Sequence, residues 1–262
     1  MGVDFGDYDN DGWMDLVKTN FSDDTNNLYH NDGSGRFDDL AGPAGFGAIS
    51  VPFLGFGVRF FDYDHDGWKD IFVANGHVNP QVDAYPFGIT YAQRSLLFRN
   101  LRGRFEEVGL RMGGALGRAR VSRGTASADF DNDGDLDLLV SNLDDSPALL
   151  RNDGGPRGAW LRIKLVGKRS NRDGLGARVQ VVTGRVTQTD EARANSSYLS
   201  ASDPRLHFGL GRATRVDRIV ITWPAGTVDR IENENPNQEL VVEEGRGVVA
   251  RWGPTRKAMP TR

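Results

Sequence analysis

The sequence predicts an all-β protein made of many short strands. Among its 262 residues, 33 are glycine and 11 are proline, a content typical of chains in which turns join short strands. One acidic loop occurs three times, and a short apolar segment follows each copy. Few stretches have the 3.6-residue apolar period of an amphipathic helix. With 38% hydrophobic and 26% charged residues, the chain is long enough for one large or two ordinary domains.

The repeated loop has the pattern Asp-x-Asp-x-Asp-Gly-x-x-Asp and begins at Asp7, Asp62 and Asp129. Carboxylates at positions 1, 3, 5 and 9 can converge on one point when glycine at position 6 tightens the loop. The backbone carbonyl of position 7 can join them. Oxygen ligands in this number suit Ca²⁺, so the loops are predicted to be calcium sites.

Electrostatic repulsion favours a bound cation over a plain turn at each loop. Four carboxylates about 4 Å apart form six repulsive pairs, each costing on the order of 1 kcal/mol in water and up to roughly 4 kcal/mol at an effective dielectric constant of 20. Three uncompensated loops would cancel an ordinary stability of about 5–15 kcal/mol. Isolated Asp-Gly loops are often simple turns. An EF-hand would need glutamate at position 12, where Lys18, Val73 and Val140 stand.

The charge is divided unevenly along the chain. Residues 1–157 carry 25 acids and 14 bases, whereas residues 158–262 carry 11 acids and 18 bases. Twelve of the first 25 acids stand at positions 1, 3, 5 and 9 of the three loops, so the acidity is specific to them. No basic-aromatic platform accompanies the positive charge of the second part, which argues against a nucleic-acid partner. Cysteine is absent, the first residues have no signal-peptide character, and no apolar stretch is long enough to span a membrane.

A second block follows each loop and extends the repeat. It occurs at 28–37, 97–105 and 149–154, and each copy reads as a hairpin with a leucine before and an asparagine at the turn. The loops begin 55 and then 67 residues apart, a period suited to four-stranded blades of a β-propeller. Together, the loops and hairpins resemble FG-GAP/VCBS repeats, the blades of the integrin α-chain propeller and its bacterial relatives.

This resemblance implies that one Ca²⁺ binds in the loop of each blade, three ions in all. Aspartates would contribute carboxylates, and the residue at position 7 would contribute its main-chain carbonyl. The implied ligands are Asp7, Asp9, Asp11, Trp13 and Asp15; Asp62, Asp64, Asp66, Trp68 and Asp70; and Asp129, Asp131, Asp133, Asp135 and Asp137.

The first region, residues 1–157, supplies about three blades, whereas propellers usually close with four to eight. Only six residues precede the first loop, which leaves little room for the inner strand of the first blade. We therefore expect an N-terminally truncated propeller, with any signal peptide lost together with the preceding part.

The second region, residues 158–246, is predicted to be a small antiparallel β-sandwich. Apolar and polar residues alternate in Trp160–Leu165, Ala177–Val181 and part of Val216–Trp223. The stretches Ser170–Val179 and Leu206–Gly211 carry a resemblance to the ASPIC/UnbV domain, which follows FG-GAP-type repeats in the cartilage acidic protein-like family. Residues 247–262 are expected to form a mobile tail.

No catalytic motif accompanies these features. The four histidines have no metalloprotease spacing, and neither a nucleophile elbow nor a phosphate-binding glycine loop is present. The favoured interpretation is a non-catalytic, calcium-binding interaction or adhesion module, located outside the cell, in the periplasm or on the cell surface, with a protein or glycan partner. Two alternatives stay open: a calcium-dependent enzyme for cyclisation or hydrolysis in a natural-product pathway, and a glycan-binding module.

Overall fold

The protein is all-β in a computed structural model that describes residues 1–86, 88–154 and 158–254. Within these residues, nineteen strands form five sheets. Three sheets follow one another in residues 1–154 and are called blades 1, 2 and 3. Two further sheets face each other in residues 158–254 and form the sandwich.

Each blade is an antiparallel meander whose strands pair in chain order. Blade 1 contains β1 (Val3–Gly6), β2 (Asp15–Lys18), β3 (Asn27–Asn31) and β4 (Phe37–Asp39). Blade 2 contains β5 (Gly55–Phe61), β6 (Asp70–Asn75), β7 (Leu96–Asn100) and β8 (Phe105–Glu107). Blade 3 contains β9 (Ser122–Ala128), β10 (Asp137–Asn142) and β11 (Asp145–Leu150).

Short helical segments join the blades. Helix α1 (Gly47–Ser50) lies between β4 and β5, and α2 (Gly114–Gly117) lies between β8 and β9. Two 3₁₀ segments cover Pro80–Ala84 and Gly109–Arg111. No described helix is both long enough and apolar enough to cross a membrane.

The blades pack side by side, with β1 beside β5 and β5 beside β9. Aromatic residues fill the space between blades 1 and 2, where Tyr8, Phe46 and Phe105 belong to one buried cluster. A second cluster, which includes Tyr63 and Leu138, lies between blades 2 and 3. This packing of meanders around their inner strands confirms the propeller-type arrangement that the repeat predicts.

The expectation that blade 1 lacks its inner strand is wrong. Val3–Gly6 forms β1 and pairs antiparallel with β2, from Val3 opposite Lys18 to Gly6 opposite Asp15. Contacts extend this pairing beyond the four residues, because the amide of Gly2 donates to Oγ1 of Thr19 at 2.9 Å.

The sandwich contains eight strands in two sheets with the orders β15-β12-β18-β19 and β14-β13-β16-β17. The strands are β12 (Ala159–Val166), β13 (Arg178–Thr183), β14 (Val186–Glu191), β15 (Leu206–Gly211), β16 (Val216–Thr222), β17 (Val228–Glu234), β18 (Gln238–Glu243) and β19 (Gly247–Trp252). Their inward residues form one core around the fully buried Leu161, Phe208, Ile219 and Trp223. The three alternating stretches of the sequence correspond to β12, β13 and β16.

Two expectations for this region need correction. The sandwich is not wholly antiparallel, because β17 ends in one sheet and the chain crosses to the other, where β18 runs parallel to β12. The tail expected to begin at residue 247 instead starts with strand β19, which pairs with β18. Gly245 and Gly247 have φ angles of 74° and 79°, and this left-handed backbone lets the chain reverse into β19. Residues 255–262 of the expected tail lie outside the described residues.

Candidate metal centres

The three acidic loops share one backbone conformation. Position 4 is left-handed in each loop, and position 6 has a φ near +90° to +100°. The angles are 60° at Asn10, 57° at His65 and 59° at Asn132, and 96° at Gly12, 90° at Gly67 and 102° at Gly134. Asparagine tolerates the first conformation, and only glycine adopts the second without strain. The glycine of the motif is therefore required by the turn itself.

Hydrogen bonds hold the first carboxylate of each loop against its own turn. One oxygen of the position 1 aspartate accepts from the amide of the position 6 glycine. The distances are 3.1 Å for Asp7 and Gly12, 2.8 Å for Asp62 and Gly67, and 3.0 Å for Asp129 and Gly134. The other oxygen, Oδ1, accepts from the position 5 amide in Asp62 at 3.2 Å and in Asp129 at 3.1 Å, whereas in Asp7 it has no hydrogen-bond partner among the described residues.

The last carboxylate of each loop connects two hairpins. It accepts from the amide of position 2 and from the amide of an asparagine that ends the third strand in blades 1 and 2 and follows it by two residues in blade 3. For Asp15 the donors are Tyr8 at 3.1 Å and Asn31 at 2.9 Å; for Asp70 they are Tyr63 at 3.1 Å and Asn100 at 2.7 Å; for Asp137 they are Phe130 at 2.9 Å and Asn152 at 2.7 Å. This shared pattern explains why a hairpin ending in asparagine follows every loop.

These asparagines are functional residues that the sequence analysis did not single out. The side-chain amide of Asn100 donates to the carbonyl of Lys69 and to the carbonyl of Tyr8, both at 2.8 Å. Asn152 similarly donates to the carbonyl of Tyr63 at 2.9 Å. Asn100 and Asn152 therefore tie their loops to the loop of the preceding blade, whereas Asn31 donates to the carbonyl of Met14 within its own loop at 3.1 Å. The recurrence of asparagine at one repeat position is the signal that identifies them.

The structure brings together three of the four predicted carboxylates in each loop, with ligand oxygens within 4.8 Å of one another. The groups are Asp7, Asp9 and Asp15; Asp62, Asp64 and Asp66; and Asp129, Asp131 and Asp137. Asp11 lies in a further group with Asp9 and His30, which the sequence analysis did not predict. Asp70 and Asp133 are in none of these groups. The position 7 amides of Trp13, Trp68 and Asp135 donate to the position 5 carboxylates at 2.8, 3.0 and 2.9 Å.

The polar atoms of the first loop are suited to a bound cation. Asp7 is only 1% exposed, and among the described residues its Oδ1 has no hydrogen-bond partner. A buried carboxylate oxygen without a partner is costly, and a metal ion among Asp7, Asp9 and Asp15 would satisfy it. The donors are all hard oxygens, as Ca²⁺ prefers.

Burial makes these carboxyls hold their protons more tightly than free aspartate does. Desolvation, followed by repulsion from Asp15, raises the pKa of Asp7 to about 7. Desolvation also raises the pKa of Asp15 to about 7, although amide donors oppose it. In blade 2, burial raises the pKa of Asp62 and of Asp70 well above the usual range. A divalent cation would remove this electrostatic cost by compensating the charge.

Each loop also faces one cationic or titratable side chain of the protein. Nδ1 of His30 lies 3.2 Å from Oδ2 of Asp9, and Nη2 of Arg99 lies 2.8 Å from Oδ2 of Asp64. In blade 3 the partner comes from the sandwich: Nη1 of Arg162 lies 2.5 Å from Oδ2 of Asp129. Arg162 thus binds the same Oδ2 that accepts from Gly134, whereas Oδ1 of Asp129 accepts from the amide of Asp133 at 3.1 Å.

The sandwich closes over all three loops. Arg178 donates to the carbonyl of Gly12, the amide of Gly211 donates to the carbonyl of His65 at 2.8 Å, and His207 lies 2.9 Å from the carbonyl of Gly134. A Cβ on Gly134 would lie 2.2 Å from Nε1 of Trp160, so the indole packs directly on the turn. His207 is thus a buried contact residue, and burial lowers its pKa well below the usual range.

We expect Arg162→Met to destabilise the protein by about 2–4 kcal/mol. The substitution leaves the buried Asp129 without its cation, and uncompensated buried charges cost about this much. Glu239 keeps a second partner, Arg205, at 2.8 Å. Chemical denaturation measures the loss, and calcium should reduce it because the ion also compensates Asp129. Arg36→Met is the matched control, since its pair with Asp38 is exposed. Equal effects of the two variants would contradict the assignment.

Comparison with known proteins agrees with this architecture. The family described as FG-GAP-like repeat matches residues 7–73, and the family described as ASPIC and UnbV matches residues 167–249. The chain therefore contains an FG-GAP-like repeat region followed by an ASPIC and UnbV region.

Among characterised proteins, the chain is similar to cartilage acidic protein 1. It is 30% identical to the Homo sapiens protein over an alignment of 239 residues, which covers 86% of this chain and 33% of the relative. The Mus musculus protein is also 30% identical over 239 residues, and the Xenopus tropicalis protein is 26% identical over 235 residues. The chain spans about one third of the length of these curated relatives.

Proposed function

We propose that this protein is a calcium-stabilised, non-catalytic interaction module. The observation that carries the proposal is the repetition of one loop geometry in three blades, each with three carboxylates gathered within 4.8 Å. The unpartnered, buried Oδ1 of Asp7 is the most direct support for an ion. Calcium would act on stability by mass action, because it binds the folded loops and not the unfolded chain.

The proposed ligands are those implied by the repeat, with the position 7 carbonyls of Trp13, Trp68 and Asp135 completing the three shells. Shells of this kind are filled by the protein, whereas catalytic metal sites keep an open position for substrate. The charged cavity between the blades and the sandwich has a volume of about 40 Å³ and is lined by Asp62, Arg162 and Asp190. Such a volume accommodates a water molecule and not a substrate, which supports a structural role for the ions.

The proposed location is outside the cytoplasm, in the extracellular space, in the periplasm or on the cell surface. Weak calcium sites of extracellular modules have dissociation constants of about 10⁻⁴–10⁻³ M, and calcium fills them only where its free concentration is high. The partner would be a protein or a glycan. We assign residues 1–154 to the calcium-binding blades and residues 158–252, which include β19, to the sandwich that covers them.

Calorimetric titration of the chelated protein tests the calcium assignment. We expect three ions per chain and a loss of one ion, or at least tenfold weaker binding at one site, in each of Asp9→Asn, Asp64→Asn and Asp131→Asn. Position 3 is chosen because its side chain makes fewer structural hydrogen bonds than positions 1 and 9, so folding and binding can be separated. Asp38→Asn, an exposed carboxylate outside the loops, is the control. Absence of binding in the folded parent protein would refute the proposal.

A further inference from the structure

Blade 3 differs from the other two blades at its outer edge. Blades 1 and 2 end with a fourth strand, β4 on β3 and β8 on β7. Among the described residues, β11 pairs with β10 alone. The strands β3 and β7 extend to Asn31 and Asn100, whereas β11 ends at Leu150, two residues before the equivalent Asn152. Within the described part of the chain, the outer edge of blade 3 at 150–152 thus has no partner strand, and the Asn152 amide donates to Asp137 as its counterparts do in the other blades.

The fourth strands of blades 1 and 2 follow one rule. An aromatic residue stands opposite the asparagine, and an acidic residue stands opposite the preceding basic residue or histidine. The pairs are Asn31 with Phe37, His30 with Asp38, Asn100 with Phe105, and Arg99 with Glu106. Blade 3 has the counterparts of the residues that face the fourth strand in the other blades, because Arg151 precedes Asn152.

The aromatic residue of β8 shows what the fourth strand does. Phe105 is 6% exposed and fills the space between blades 1 and 2. Its ring centroid lies 5.7 Å from that of Tyr8 and 6.2 Å from that of Phe46. Its amide donates to the carbonyl of Ala44 at 2.7 Å. Backbone pairing and a buried aromatic anchor therefore act together at this position.

An open apolar cavity occupies the equivalent place in blade 3. Its volume is about 400 Å³, and it is lined by Tyr63, Leu116, Leu138 and Leu150. Tyr63 is the loop 2 counterpart of Tyr8, and Leu116 lies in α2, which joins blades 2 and 3 as α1 joins blades 1 and 2. A cavity of this size and polarity is suited to an aromatic side chain.

We propose that the outer edge of blade 3 binds, in trans, an extended segment of a partner protein in which an aromatic residue precedes two acidic residues. The segment would pair with residues 150–152 as a fourth strand, place its aromatic ring in the cavity, and set its first acid opposite Arg151. Such strand addition gives affinity through backbone hydrogen bonds and specificity through the side-chain cavity. This inference rests on the proposed interaction role and names the partner's chemistry.

The chain's own fourth strand supplies the probe. A fluorescent peptide with the sequence of residues 103–110, which contains β8, is titrated against the intact, calcium-loaded protein. We expect saturable binding with a dissociation constant on the order of 100 µM, and at least tenfold weaker binding of the Phe105→Ala peptide. Absence of saturable binding, or equal binding of both peptides, would overturn the inference.

Variants of the protein test whether the peptide binds to blade 3. Leu150→Asp, in the cavity, should weaken binding at least tenfold. Leu139→Asp should leave it unchanged, because Leu139 is 51% exposed on the same blade and does not line the cavity. Arg151→Glu should weaken binding of the parent peptide, and a Glu106→Lys peptide should restore binding to this variant. Failure of the rescue, or equal effects of the Leu150 and Leu139 variants, would contradict the proposed register.

Sedimentation of the same samples tests whether a second copy of the chain occupies the cavity. A dimer that Leu150→Asp dissociates, together with no peptide binding, would show that a second copy of the chain fills the cavity and would overturn the partner assignment. Melting curves with and without chelator, run in parallel, separate this inference from the calcium proposal. A protein that responds to calcium but ignores the peptide retains the proposed function and loses only the docking site.

Discussion

Removal of calcium with EGTA is expected to lower the melting temperature by about 10–20 °C relative to the protein in millimolar calcium. At a free concentration of about 10–30 times the dissociation constant, each site adds about 1.4–2 kcal/mol, so three sites add about 4–6 kcal/mol. For a chain of this size, each kcal/mol shifts the midpoint by about 2–4 °C. Differential scanning calorimetry measures the shift directly.

The specificity of that shift distinguishes coordination from simple charge screening. Magnesium at the same concentration should stabilise the protein less, because it demands strict octahedral geometry and gives up its water reluctantly. The triple variant Asp9→Asn, Asp64→Asn, Asp131→Asn should lose most of the response. A melting temperature that is indifferent to chelation, or an equal response to sodium chloride at matched ionic strength, would rule out calcium as the stabilising ligand.

The loop geometry could be predicted from the sequence because its determinants are local. Asp7, Gly12 and Asp15 lie within nine residues, and the turn that gathers them depends on a glycine whose required backbone angle is readable from the motif. The alternating stretch around Ile163 similarly identified strand β12, since a half-buried strand must alternate. In both cases the local sequence pattern alone determines the local structure.

The contacts between the loops and the sandwich could not be predicted in this way. Arg162 reaches Asp129 across 33 positions, and Arg178 reaches Gly12 across 166. Their meeting depends on how two sheets dock, which no local spacing encodes. Strand β19 was missed for a different reason: residues 247–262 were interpreted together as a tail rich in Arg, Pro and Thr, although the first six, GVVARW, include strand-forming residues and pair with β18.

The open edge of blade 3 could also be recognised only in the structure, although the sequence shows one difference between the repeats. The hairpin after the third loop stops after Asp153 and Gly154, without the aromatic-acidic segment that follows the equivalent turns as Phe37 and Phe105. Only the packing of Phe105 between two blades shows that this segment fills an interblade space. Comparison of the three blades thus shows which space the absent segment would fill.

The metal-free protein is expected to lose stability as the pH rises from about 5 to 8. Asp7 and Asp15 have folded-state pKa values of about 7, raised by burial above the ordinary value of 3.8. The folded state therefore binds more protons than the unfolded state between about pH 4 and 7, and stability falls with pH across that range and stays low above it. After allowance for solvent screening, a loss of about 2–3 kcal/mol corresponds to about 5–10 °C.

Calcium should reverse this dependence, because it binds the ionised carboxylates and gains affinity as protons leave. The stabilisation by calcium is therefore expected to grow from pH 5.5 to pH 8 in melting experiments with buffered free calcium. Asp7→Asn isolates the cause: the amide keeps the shape of the side chain but removes its ionisation. In chelator at pH 8 this variant should be more stable than the parent, whereas in calcium it should be less stable. A variant less stable than the parent under both conditions would show that Asp7 acts through its structural hydrogen bond to Gly12 and not through its charge.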